Sequence, residues 1–111
     1  MITTHVLDTA RGCPAEGVPV VLERIDDERW QVVGQGATDE NGRLKDLVPP
    51  SFQVRAGIYR LRFDTGAYFA RHGVRSFFPD VVVAFQVSDA NGHYHVPLLL
   101  SPFGYSTYRG S

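Results

Sequence analysis

The chain has 111 residues, 43% of them hydrophobic, and a net charge of −1. That is enough for one packed domain, spanning residues 1–111, and it argues against disorder. The even charge balance argues against nucleic-acid partners, and no run approaches the ~20 apolar residues of a membrane span.

The hydropathy pattern is mostly of period two, taken here from the N-terminus. "ITTHVLD" reads as a first strand, closed by the turn residues of "ARGCPAEG". Its Thr3, His5 and Leu7 share one face, and Thr4, Val6 and Asp8 the other. "VPVVLERI" and "WQVVGQGATD" read as strands joined by a turn at "DDER". "ENGR" then supplies an Asn-Gly turn signal just before Arg43. The prolines of "LKDLVPPSF" leave that segment irregular. "GIYRLRFDT" alternates cleanly. "GAYFARHG" is the one helical stretch, about two turns long and bounded by glycines. "PDVVVAFQVS" reads as a buried strand, "HYHVPLLLS" as the next, and "GYSTYRG" as the last. Seven or eight short strands with turn signals between them predict an antiparallel β-sandwich.

In "HYHVPLLL" the alternation puts Tyr94, Val96, Leu98 and Leu100 on a uniformly apolar face, the expected core. His93, His95, Pro97 and Leu99 take the other face. That outer face is itself partly apolar, which suggests that another surface covers it. His93, directly after the "ANG" turn, is expected at the solvent end of its strand and dispensable.

Other chemistries fit the sequence less well. His93 and His95 lie on one face and could both reach a zinc ion, but no CxxC or HExxH pattern accompanies them. There is no G-x-S-x-G turn for a serine nucleophile. The glycines of "GQGATDENG" lack the strand–loop–helix setting of a phosphate cradle and read as a hairpin end. Cys13 is the only cysteine, so no intrachain disulfide is possible, and no motif supports a nucleophilic role for it. "MITTHVLD" lacks the layout of a signal peptide. Together these give the cytoplasm as the expected location.

Three blocks carry a more specific signal: "THVLDTARGCPAEGVPVVL", "TDENGR" and "HYHVPLLLSPFGYSTYRGS". In this order they resemble the transthyretin-like family, and within it the enzymatic branch, the 5-hydroxyisourate hydrolases. The terminal "YRGS" is specific to that branch. The resemblance runs from His5 to Ser111.

It implies an eight-stranded antiparallel β-sandwich with one short helix. It also implies a homotetramer, a dimer of dimers, with the sites in a channel at the dimer–dimer interface. The reaction implied is hydrolysis of 5-hydroxyisourate, needing no metal and no cofactor. The family's catalytic histidine, arginine and histidine fall on His5, Arg43 and His95, where hormone-carrying transthyretins have lysine, glutamate and threonine. Either histidine could act as the base. Tyr108 would position the substrate ring. Ser111, through its terminal carboxylate, would fix Arg43 or a histidine. The alternative is a non-catalytic carrier of small aromatic ligands.

Overall fold

A computed structural model describes residues 1–111. In chain order the elements are β1 (Ile2–Asp8), β2 (Cys13–Pro14), β3 (Pro19–Asp26), β4 (Arg29–Ala37), β5 (Arg43–Leu44), β6 (Gly57–Phe63), α1 (Thr65–Arg71), β7 (Val81–Val87), β8 (Tyr94–Ser101) and β9 (Gly104–Thr107). They form two sheets. One runs β2-β1-β8-β9, with β5 also pairing to β1, and the other runs β4-β3-β6-β7. Every ladder is antiparallel except β1 with β8, which is parallel. That pairing joins the two ends of the chain, which a hairpin cannot do.

The sheets face each other across one apolar core, because each strand turns alternate residues inward. Val6, Leu98 and Leu100 come from the first sheet and Val20, Leu22, Leu61 and Phe63 from the second; all are buried. Two buried polar side chains pin the loops to this core. Asp8 accepts the backbone N–H groups of Ala10 and Arg11 and the hydroxyl of Tyr68, the last at 2.8 Å. Thr38 donates to the Ala15 carbonyl and accepts from the Val18 N–H. On the second sheet Glu23 accepts from Arg60 and Arg62 at 2.8 and 3.1 Å. The Arg60 hydrogen bond is the main reason its carboxyl titrates below the usual range.

The turns follow the side chains available. Asp27 and Glu28 both take positive φ in the two-residue β3–β4 hairpin. Asp64 caps α1 by accepting the Ala67 N–H. Two elements differ from the sequence pattern. Cys13 belongs to the short strand β2 rather than to a turn, paired with Asp8. β7 is not a buried strand: it is a sheet edge, and Val82 is 42% exposed. The last strand's regular ladder ends at Thr107, and the chain runs on alongside β8, with Gly110 pairing to His95 in the same register, as a strand over "GYSTYRG" predicts.

Candidate active site

The "TDENGR" turn sets one corner of the site. Asp39 accepts the backbone N–H groups of Asn41 and Arg43 through one oxygen, at 2.8 and 2.9 Å. Those contacts hold the Asp39 carboxyl below its ordinary pKa, the Arg43 N–H foremost. Gly42, at φ 75°, packs so closely on β1 that a Cβ would lie 2.3 Å from the Val6 carbonyl. The Val6 N–H donates to the Gly42 carbonyl at 2.7 Å. The turn is thereby clamped onto β1, and Arg43 falls directly opposite His5.

His95 is one strand away. It is paired with Thr3, while His5 is paired with Pro97, so His5 and His95 stand on adjacent strands two residues apart along the ladder. Both point away from the core. His5 Nε2 lies 2.9 Å from the Asn41 carbonyl. A carbonyl only accepts, so His5 carries its proton on Nε2. His95 titrates below the ordinary histidine value. Burial is the main cause, followed by the nearby charges of Arg43, His93 and His5.

Thr3 binds two rings at once. Its Oγ1 is 2.8 Å from His95 Nδ1 and 3.1 Å from His93 Nε2. Beside them is a cavity of about 200 Å³, lined by Met1, Thr3, Arg43, Lys45, His93, His95 and Ser111 among others. The C-terminal segment closes one side. The Gly110 N–H donates to the His95 carbonyl at 2.8 Å.

The fold thus brings together His5, Arg43, His95 and Ser111. Tyr108 is set apart: it is 58% exposed and borders a second cavity, of about 320 Å³, which His95 also lines. Its neighbour Arg109 stacks over the Tyr94 ring at 4.7 Å. The chain's ion pairs are those of Glu23 with Arg60 and Arg62, so Ser111 makes none with Arg43. Sequence reasoning missed Thr3 and Lys45 and set His93 aside. A hydroxyl on a strand carries no chemical signal until its cross-strand partner is known. No three His, Cys, Asp or Glu side chains converge as a metal-binding set, and no helix is long and apolar enough to cross a membrane.

Two facing sheets, a single helix after β6 and a polar site on the outer face of the β1–β8 sheet define a transthyretin-like β-sandwich. The HIUase/Transthyretin family model matches residues 2–110. The chain belongs to that family. It is 49% identical over 111 residues to a 5-hydroxyisourate hydrolase of Salmonella dublin, covering 100% of this chain and 81% of the relative. Among solved structures it resembles Klebsiella pneumoniae 5-hydroxyisourate hydrolase, with TM-score 0.86 and 39% identity over 99% of this chain and 98% of that one. Sea bream transthyretin in complex with thyroxine superposes with TM-score 0.90 at 34% identity, over 98% of this chain and 93% of that one.

Proposed function

We propose that this chain hydrolyses 5-hydroxyisourate to 2-oxo-4-hydroxy-4-carboxy-5-ureidoimidazoline, in urate degradation, without metal or cofactor. Full-length similarity to relatives bearing the hydrolase name supports this reading. The observation that carries it is the grouping of His5, Arg43 and His95 on one face of one sheet, beside a polar cavity.

In this reading the oxygen of a water molecule bonds to the ring carbonyl carbon and His95 takes its proton. His95 is suited to be the base because its surroundings disfavour the charged form, leaving it neutral near pH 7. Arg43 keeps its charge and offers a fork of donors to the oxyanion that develops on the carbonyl. The C–N bond then breaks and the ring nitrogen takes up a proton. His5, its ring fixed on the Asn41 carbonyl, holds or relays a proton on the other side. Tyr108 positions the flat ring. Ser111, unpaired with Arg43 in the free chain, brings its terminal carboxylate to the cavity that Arg43 and His95 line, to engage one of them once substrate is bound.

The working form is a homotetramer in the cytoplasm, with sites at the dimer–dimer interface. Unpaired Cys13 supports the reducing compartment. The carrier reading draws on the structural match, at 34% identity, to a thyroxine-bound transthyretin.

An assay separates the two. 5-Hydroxyisourate is made in situ from urate and its loss is followed by ultraviolet absorbance. Decay well above the spontaneous rate is expected. His5→Ala, Arg43→Ala and His95→Ala should each lose at least about a hundredfold in turnover, with the assembly intact. A wild-type trace matching spontaneous decay overturns the enzyme reading and favours the carrier.

A further inference from the structure

Thr3 is 6% exposed, on the outward face of β1 between the two rings it binds. A hydroxyl has one proton, so it cannot donate to both rings. It can accept from both through its two lone pairs, or donate to one and accept from the other. In the second arrangement the tautomers of His93 and His95 are complementary. In one polarity His95 Nδ1–H donates to Thr3, Thr3 donates to His93 Nε2, and His95 Nε2 is bare. In the other, His93 Nε2–H donates to Thr3, Thr3 donates to His95 Nδ1, and His95 Nε2 carries a proton. The first state is a base at Nε2 and the second an acid. Hydrolysis of an amide needs both in turn.

We propose that Thr3 is a positioning residue that joins His93 and His95 into one proton relay. This rests on the hydrolase reading above. A proton taken from water at His95 Nε2 makes an imidazolium. Its Nδ1 proton passes to Thr3 Oγ1 as the Thr3 proton passes to His93 Nε2. The positive charge has then moved to His93, and His95 is neutral with a proton on Nε2. When the departing ring nitrogen takes that proton, the chain runs backwards. His93 returns its proton to Thr3, and Thr3 returns one to His95 Nδ1.

The electrostatics favour that displacement of charge. Arg43 and His5 face His95 from β5 and β1 and disfavour its cation, while Lys45, Met1 and the Ser111 terminal carboxylate line a cavity that His93 and His95 share. A cation on His95 is repelled and partly desolvated. His93 is exposed, and water stabilises its charge.

The relay is read without substrate by nuclear magnetic resonance of ¹⁵N-labelled imidazoles across a pH titration. In the wild-type assembly each ring should report two shared midpoints, as coupled sites do. In Thr3→Val, which keeps the shape and removes the hydroxyl, the coupling should shrink to the through-space effect of one ring's charge on the other. In the urate-coupled assay Thr3→Val should lose about tenfold or more in kcat with little change in KM, and Thr3→Ser should recover most of it. His93→Gln can accept the Thr3 proton bond but cannot take the charge, and should lose several-fold. Independent titration of the two rings in the wild type overturns the relay. So does full kcat in Thr3→Val or His93→Gln. Should Thr3→Val fail to fold, the wild-type titration and His93→Gln decide it. An inactive wild type would sink the hydrolase reading instead, while the titration still reads the coupling.

Discussion

A histidine is useful as a base only if it is neutral where the enzyme works, and the surroundings of His95 settle its state. Burial and the charges of Arg43, His93 and His5 all disfavour its cation. Its folded pKa therefore lies below the ordinary ~6.5. The neutral form dominates at pH 7, and protonation sets in only below the ordinary value. Stability derived from the neutral ring is present above that value and is lost as pH falls through the folded pKa. We expect kcat/KM for 5-hydroxyisourate to hold from neutrality down past the ordinary histidine pKa before it falls. A pH–rate profile with its acid limb above the ordinary value would contradict this. At this scale alternation gave the faces of His5 and His95 and an Asn-Gly turn preceded Arg43, but only the family resemblance singled out the three together. The sequence was silent about Thr3, whose role exists only through the β1–β8 register.

Among elements, the segment after β9 matters most. A continuous strand over "GYSTYRG" fits the sequence, since Tyr, Ser and Thr all suit a sheet. The regular ladder breaks off after Thr107 and resumes in the same antiparallel register at Gly110, which pairs with His95 at the start of β8. The close seating of Gly110 on His95 is a tertiary contact with no local signature. It requires glycine. A Cβ at Gly110 would lie 2.6 Å from His95 Cδ2 and 3.3 Å from Pro97 Cγ. The ring cannot easily yield, because Thr3 holds its far nitrogen. Gly110→Ala should therefore displace the ring or the tail and cost about tenfold or more in kcat, on the scale of misplacing an acid–base group. Its melting temperature should barely move, because the collision falls on the outward face of the sheet and leaves the core untouched. Full turnover in this variant would mean that the tail is not held against the imidazole. By contrast, the "TDENGR" turn is legible from sequence. Asn-Gly and an aspartate that caps its own turn are local chemistry, and the fold uses them as written.

On the scale of the whole molecule, one chain leaves apolar surface uncovered. β7 and β9 are edge strands, one in each sheet, with β4 and β2 at the opposite edges. The run "VVVAF" was recognisable as apolar, but its uncovered face at Val82 was not, because only the sheet order shows β7 to be an edge. On the outer face of the site's own sheet, Leu7 and Leu99 are direct cross-strand partners next to His5 and Pro97. If a second pair of chains covers this face, the site is walled by it, and a charge placed there must be desolvated on assembly. We therefore expect light scattering at micromolar concentration to give about four times the 12.3 kDa protomer mass. Leu99→Arg should fall to about half that mass and lose hydrolase activity with it, because a closed dimer of dimers opens at the modified interface first. The variant's protomer should keep its fold, because Leu99 points away from the core and a long cation can reach solvent in the separated form. A wild-type monomer would refute the assembly. A fully tetrameric and active Leu99→Arg would place the interface on some other face and leave the site open to solvent.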